Sequence, residues 1–293
     1  MPAPQVEMRE STFTGSGEVT LFRRTWTPSG PGRAGLRGVV VLAHGLGEHC
    51  GRYDHVARRL AGHGFAVWAL DHRGHGRSDG RRVHVASFGH FEADLERLRR
   101  DATATHPGVP CVVLGHSMGG AIALGHALDY PGHADALILT GPLTDAAHGV
   151  PAPVVVAGRI VAKVLPTLPL VRLDGAAISR DPAVVAAYRA DPLVHAGRVT
   201  VGLGAQLVAR TSRFRSEVGR LSVPVLVVHG TADTLVPVAT SRALVPRFGS
   251  PDVTFVEEDG LYHEVLNEPE KDRVLDTLVA WLDERFPTTE GWT

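Results

Sequence analysis

The sequence contains only two cysteines and two lysines, and its net charge is close to zero. Cys50 and Cys111 are too few for the disulfide scaffold of a small secreted domain. Basic and acidic residues number 30 and 31, so nothing favours nucleic acid or an anionic membrane as the main partner. We therefore expect a cytoplasmic protein with two reduced thiols that does not bind nucleic acid.

The sequence also lacks a recognisable secretory signal and an uninterrupted membrane span. The amino-terminal MPAPQVEMRESTF has no basic segment followed by an apolar core. Residues 150–171 are apolar and about as long as a membrane span, but they contain four prolines, Arg159 and Lys163. Each charge at mid-bilayer costs about 3 kcal/mol on insertion scales, which argues against a transmembrane helix.

Several short apolar runs bounded by glycine or proline alternate with helical patterns. Because these runs are apolar at every residue, they suit strands that are covered on both faces. The alternation predicts a mostly parallel sheet flanked by helices, the α/β class, and residues 19–28 could add an antiparallel edge strand. The predicted strands are 38–45, 65–71, 110–115, 136–141, 223–230 and 253–258, and the predicted helices include 91–106, 241–248 and 270–286.

The alternation lapses between about residues 142 and 218, where helical and proline-rich sequence contains no convincing strand. Open α/β sheets bind ligands at the carboxyl ends of their strands, and an insertion there can cover them. We therefore predict a core domain made of residues 1–141 and 219–293, with residues 142–218 as a helical cap.

One serine lies between glycines where a predicted strand gives way to a helix, in PCVVLGHSMGG at 110–120. Gly115 and Gly119 would permit a sharp turn that leaves Ser117 exposed to a substrate, as in the G-x-S-x-G motif. A serine hydroxyl needs a base to accept its proton and a third group to orient that base. The structural alternative is that Ser117 simply caps the following helix.

An acid and a histidine should follow this serine in the chain, each just beyond a later strand. Asp233 follows the predicted strand 223–230, and His263 follows the last strand. Asp145, which follows the strand at 136–141, is the alternative acid. Because Ser117 precedes residues 150–171 while the acid and the histidine follow them, a membrane crossing there would separate the three side chains.

The oxyanion formed when a serine attacks an ester needs two backbone N–H donors. The residue after the nucleophile, Met118, supplies one, and the loop after an early strand supplies the other. In VVVLAHGLGEHCGRY the second donor is predicted to be Leu46, with His44 and Gly45 shaping the turn.

The same loop suggests a metal site, because His44, Glu48 and His49 are residue types that bind metals. Their H-x-x-x-E-H pattern lies in a glycine-rich loop, whereas zinc hydrolases place two histidines one helical turn apart. The glycine-rich residues 69–80 also lack the order and the lysine of a phosphate-binding loop. We therefore expect no metal and no organic cofactor.

Five motifs together resemble the α/β-hydrolase fold and, within it, the monoacylglycerol lipase family, which is also described with the serine aminopeptidase-like hydrolases. The resemblance implies a catalytic triad of Ser117, Asp233 and His263, with Leu46 and Met118 as oxyanion donors. The motifs occur in order across residues 44–268 and read HGLGEHCGRY, LDHRGHGRSDG, GHSMGG, HGTADTLVP and LYHEVLNE.

The resemblance also implies residues that contact the substrate. AAYRADPLVHAG is similar to the family's Tyr-x-x-Asp-Pro-Leu segment, so Tyr188 would point towards the glycerol group, unless it only packs the cap on the sheet. Glu48 and Arg52 match family positions near the polar end of the pocket. Leu266 occupies the place where some members have a second histidine, three residues after the catalytic one.

The expected function is hydrolysis of monoacylglycerols to fatty acid and glycerol through an acyl-enzyme. The alternatives are a lysophospholipase, a general carboxylesterase, an aminopeptidase-type hydrolase and a non-catalytic ligand-binding protein on the same fold. A peptidase that removes amino-terminal residues would need cap carboxylates, for which Asp174, Asp181 and Asp191 are candidates.

A long acyl chain needs an apolar tunnel, and the predicted cap is rich in apolar side chains. These side chains could form one wall of the tunnel, pack the cap on the core, or form a patch that contacts membranes or lipid aggregates transiently. They are Val154, Val155, Val156, Ile160, Val161, Val164 and Leu165.

Overall fold

The computed structural model describes residues 5–29, 36–172, 174–195 and 197–287. Residues 1–4, which begin the amino-terminal segment MPAPQVEMRESTF, lie outside these ranges. The strands are β1 (Gln5–Thr14), β2 (Thr20–Ser29), β3 (Gly38–Ala43), β4 (Phe65–Leu70), β5 (Cys111–His116), β6 (Ala136–Thr140), β7 (Pro169–Arg172), β8 (Arg198–Thr200), β9 (Val225–Gly230) and β10 (Val253–Glu258). The helices are α1 (Asp54–Gly62), α2 (Gly89–Thr105), α3 (Met118–Asp129), α4 (Ala152–Val164), α5 (Pro182–Ala190), α6 (Val201–Glu217), α7 (Val238–Leu244) and α8 (Lys271–Arg285).

Eight strands form one twisted sheet in the order β1-β2-β4-β3-β5-β6-β9-β10. Six strands of this sheet are parallel, namely β4, β3, β5, β6, β9 and β10. β2 pairs antiparallel with β4, and β1 pairs antiparallel with β2 at the edge. All residues of β3, β4 and β5 are buried, because helices cover both faces of the sheet and form one apolar layer on each. This arrangement confirms the predicted α/β-hydrolase fold.

Two details at the periphery differ from the sequence prediction. Residues 19–28 are not the edge of the sheet, because β2 pairs with both β1 and β4. Strand β1 forms the edge, and its mostly polar, solvent-exposed residues gave no apolar pattern. The predicted helix 241–248 differs from the observed one, because α7 begins at Val238 and ends at Leu244, and a 3-10 turn follows at Val245–Arg247. Pro246 has no N–H with which to continue an α-helix.

The segment between β6 and β9 contains two strands that the sequence analysis missed. β7 and β8 form a separate antiparallel pair, in which Val171 is opposite Val199. Four and three residues are too few to show a periodic pattern. α4 and α5 contain no fully buried residue, whereas α6 packs against α3. In the described ranges, no helix is long and apolar enough to cross a membrane.

Candidate active site

Ser117 lies in a strained turn between β5 and α3. Its φ of 54° is unusual for a residue with a side chain, and its amide donates to the Thr140 carbonyl at 3.0 Å. A Cβ at Gly115 would overlap the Gly119 carbonyl, and a Cβ at Gly119 would overlap the Ala43 carbonyl. The Ser117 side chain makes no cap hydrogen bond to α3, so the helix-capping alternative is wrong.

The structure brings the serine, the histidine and the acid into one hydrogen-bonded chain. His263 Nε2 lies 2.8 Å from Ser117 Oγ, and His263 Nδ1 lies 2.7 Å from Asp233 Oδ2. All three side chains are buried, and the acid and the histidine lie in the loops that follow β9 and β10. Asp145 is exposed and accepts from the Ala147 amide, so it takes no part in this chain.

Asp233 is fixed on both carboxylate oxygens. Oδ1 accepts from the amides of Leu235 and Val236, each at 2.9 Å, and Oδ2 also lies 3.2 Å from His229 Nε2. Burial alone would raise the pKa of Asp233, but the hydrogen bonds from His229 and His263 hold that pKa well below its usual value. His229 lies within the predicted strand 223–230, and the sequence predicted no contact between it and Asp233.

His263 is a stronger base than an ordinary histidine. Burial lowers its pKa, but the hydrogen bond and the negative charge of Asp233 outweigh burial, so the pKa lies above the usual 6.5. The neighbouring His116, whose ring centroid is 4.8 Å away, has its pKa lowered to about 3, by burial first and by His263 second. One imidazole is therefore set up to accept a proton, while the other stays neutral.

Leu46 and Met118 both line the cavity beside Ser117. Among the described residues, neither backbone amide donates to another protein group, and Met118 is the first residue of α3. The loop of Leu46 is fixed by its neighbours, since the Gly45 amide donates to Glu48 Oε1 at 2.6 Å. His44 Nε2 accepts from the His72 amide at 3.0 Å.

The side chains of the suggested metal site point to different partners. His44 Nδ1 contacts the Gly45 carbonyl, Glu48 accepts from the Gly45 amide, and His49 Nε2 lies 2.9 Å from Asp191 Oδ2. Within the part of the chain that the structure describes, no three His, Cys, Asp or Glu side chains are grouped so that they could hold a metal ion.

The residue 69–80 loop is held by side chains within the protein. Asp71 accepts from the amides of Cys50 and Arg77, each at 2.8 Å. Arg73 forms an ion pair with Asp94 at 2.7 Å. Asp71 and Arg73 therefore stabilise the loop through contacts within the protein.

Ser117 opens into a cavity of about 760 Å³, a size typical of small-molecule sites. Near the serine the lining is polar, and we call this part the headgroup end. The rest of the lining is mostly apolar and comes largely from α4, β7 and α6. The headgroup end consists of Glu48, His116, Tyr188 and Glu264, next to Ser117 and His263.

Two buried carboxylates share one guanidinium beside the headgroup end. Arg52 Nη1 lies 2.5 Å from Glu48 Oε2 and 2.6 Å from Glu264 Oε1, and Nη2 lies 2.7 Å from Glu264 Oε2. The Tyr188 ring packs 4.8 Å from the guanidinium. Glu264 is not among the site residues predicted from the sequence, although it directly follows His263 in the LYHEVLNE motif.

The two carboxylates differ in acidity. Burial would raise the pKa of Glu48, but Arg52 and the nearby histidines lower it to about 2. Burial raises the pKa of Glu264, and Arg52 lowers it. The negative charge of Glu48 adds to the effect of burial, and the pKa of Glu264 is therefore above its usual value. Glu264 is therefore the carboxylate whose charge changes first as the pH falls.

The three carboxylates predicted as candidates for a peptidase, in the segment between β6 and β9, form local contacts. Asp174 accepts from the Ala176 amide, Asp181 caps α5, and Asp191 contacts His49; none of the three lines the cavity. Leu266 is buried in the core, so no second imidazole occupies that position.

Comparison with known proteins is consistent with this geometry. The family described as serine aminopeptidase, S33 matches residues 34–270. A monoacylglycerol lipase from Mycolicibacterium smegmatis is 46% identical over 273 residues, which cover 93% of this chain and 96% of the relative. The chain belongs to the monoacylglycerol lipase family of α/β-hydrolases.

Other members of this family are similar over most of their length. Human monoglyceride lipase is 36% identical over 92% of this chain and 88% of its own. The crystal structure of Paleococcus ferrophilus monoacylglycerol lipase has a TM-score of 0.79 at 30% identity and covers 95% of this chain and 99% of that one. Membership in the family confirms the resemblance drawn from the five motifs and shows that the chain is a hydrolase.

Proposed function

We propose that this protein is a monoacylglycerol lipase that forms an acyl-enzyme on Ser117. The observation that carries the proposal is the hydrogen-bonded chain of Ser117, His263 and Asp233 beside a cavity of about 760 Å³ whose lining is mostly apolar. A nucleophile at the boundary between polar and apolar linings suits an ester of a fatty acid with a small polar alcohol.

In the first half-reaction, Ser117 Oγ attacks the ester carbonyl while His263 Nε2 accepts its proton. Asp233 stabilises the imidazolium, and the Leu46 and Met118 amides donate to the oxyanion. The C–O bond of the ester then breaks, and His263 gives the proton to the departing glycerol. Water repeats the sequence on the acyl-enzyme, releases the fatty acid and restores the serine hydroxyl.

The two ends of the substrate would be bound by different forces. Glu48 and Tyr188 line the headgroup end and would contact glycerol hydroxyls, and Arg52 would position both of them. The acyl chain would lie along the apolar lining, where each buried methylene contributes about 0.8 kcal/mol.

A profile over acyl glycerols tests this function. Because each added methylene that finds apolar lining raises kcat/KM up to about fourfold, activity on 1-monoacylglycerols is expected to rise with chain length until the cavity is filled. Monooleoylglycerol should be cleaved faster than dioleoylglycerol and trioleoylglycerol. Equal or faster cleavage of lysophosphatidylcholine or of an aminoacyl amide would instead favour the alternative hydrolases.

We also propose that residues 142–218 form a cap, and that α4 contacts lipid surfaces through one side. Val156, Ile160 and Val164 recur every fourth residue, do not line the cavity, and are 54%, 60% and 76% exposed. An apolar stripe of this kind beside a lipid-binding cavity suits transient contact with a membrane or lipid aggregate. The two buried, unpaired cysteines suit a reducing, cytoplasmic setting.

Replacing Val156, Ile160 and Val164 together by serine should weaken binding to phosphatidylcholine vesicles that contain monoacylglycerol at least tenfold. The reason is that the variant would remove less apolar surface from water when α4 contacts the vesicle. Vesicle cosedimentation measures the binding. Met8→Ser, at an exposed apolar residue on β1, is the matched control and should leave binding unchanged. Undiminished binding of the triple variant would contradict the role of α4.

A further inference from the structure

The charged side chains that face the substrate at the headgroup end are both carboxylates. Glu48 and Glu264 line the cavity there and are only 2% and 4% exposed. Among the described residues, the one arginine or lysine that lines the cavity is Arg159, which belongs to α4 and not to the headgroup end.

Arg52 lies next to the headgroup end, but its guanidinium donates its hydrogen bonds to these two carboxylates. Its Nη1 donates to both of them, and its Nη2 donates to Glu264, all within 2.7 Å. The Tyr188 ring covers the guanidinium at 4.8 Å. With both carboxylates ionised, the group of Glu48, Arg52 and Glu264 has a net charge of −1.

The leaving alcohol of an ester bound at Ser117 would lie against this group. The apolar lining accepts the acyl chain, so the alcohol extends towards the polar residues on the other side of the carbonyl. Glu264 directly follows His263, the residue that would return a proton to the leaving oxygen.

We propose that Glu264, with Glu48, makes the headgroup end select neutral or cationic alcohol groups and reject anionic ones. This inference rests on the proposed ester hydrolysis at Ser117. Hydroxyl and ammonium groups can donate hydrogen bonds to a carboxylate, whereas a second anion cannot. An anionic headgroup would lose its hydration in this buried site and would be repelled by the negative charge of the two carboxylates. These two costs discriminate strongly against anionic substrates.

Three oleoyl esters that differ only at the third carbon of the headgroup test the proposal. The alcohols are glycerol, 3-amino-1,2-propanediol and glycerate, which present a hydroxyl, an ammonium and a carboxylate. At mildly alkaline pH, which favours the ionised form of a carboxylate, we expect similar kcat/KM for the first two esters and a value at least tenfold lower for the glycerate ester. A glycerate ester cleaved as well as the glycerol ester would overturn the proposal.

Variants at Glu264 test whether its charge is responsible. Glu264→Gln keeps the size but leaves Glu48 and Arg52 as a neutral pair, so the ratio of glycerate to glycerol kcat/KM should rise about tenfold. Glu264→Asp keeps the charge and should keep the low ratio. Glu257→Gln removes an exposed carboxylate on β10 that does not line the cavity, and it should also leave the ratio unchanged.

Each outcome separates this inference from the proposed function. Titration of active sites with a fluorophosphonate gives the concentration of folded enzyme, so the rates of each variant can be corrected for misfolded protein. The comparison of the three esters uses the wild-type protein and does not depend on any variant folding. A ratio that Glu264→Gln does not change would overturn the role of Glu264 while ester hydrolysis stands. If none of the three esters is hydrolysed, the proposed function itself fails.

Discussion

Ser117→Ala is expected to lower kcat for monooleoylglycerol hydrolysis by about ten-thousand-fold to a million-fold. The substitution removes the only atom that can form the acyl-enzyme, and it leaves His263 and Asp233 in place. Alanine keeps a Cβ in the same strained turn, so the thermal midpoint should change by only a few degrees. Release of oleate measures the activity.

A matched control separates this loss from a general effect of removing a hydroxyl. Ser212 is exposed on α6, and its hydroxyl donates a hydrogen bond to the Ala209 carbonyl. Ser212→Ala should keep wild-type activity. Retention of more than a small fraction of activity by Ser117→Ala would refute the nucleophile.

Asp233→Asn is expected to lower kcat by about ten-thousand-fold, the effect seen when a triad acid becomes an amide. An asparagine can present an N–H to His263 Nδ1 and so favour the tautomer that cannot accept the serine proton at Nε2. The amide oxygen can still accept from the Leu235 and Val236 amides, so the loop should remain folded.

The pH profile of this variant provides a second measurement. His263 must be neutral to act as a base, so kcat/KM falls as the pH drops through its pKa. Asp233 raises that pKa above 6.5, and the acidic limb of the variant should therefore lie at lower pH than that of the wild type.

Asp145→Asn is the control for the choice of acid. Asp145 follows β6 and is exposed, and its carboxylate accepts from the Ala147 amide. This variant should retain activity within a few-fold of the wild type. A large loss in Asp145→Asn together with an active Asp233→Asn would reverse the assignment of the acid.

The central strands could be predicted because burial on both faces forces every residue to be apolar. β3, β4 and β5 are buried throughout and are bounded by glycine, proline or polar residues. The edge strand β1 could not be predicted in this way, since its exposed residues carry no apolar pattern. The pair of β7 and β8 forms through tertiary pairing of segments too short for a local signal.

The order of the three site residues along the chain could be predicted from chemistry, but the contacts around them could not. His229 lies four residues before Asp233 in a buried strand, and only the fold shows that its Nε2 reaches that carboxylate. Glu264 accepts a hydrogen bond from Arg52, which lies 212 residues earlier in the sequence. Neither contact follows a periodicity that a single sequence could reveal.

The most direct test of the account is to map the residue that a fluorophosphonate modifies. After labelling and proteolysis, mass spectrometry should find one adduct, on Ser117, and His263→Ala should label far more slowly because no base accepts the serine proton. An adduct on a different residue, or equally fast labelling of His263→Ala, would contradict the account.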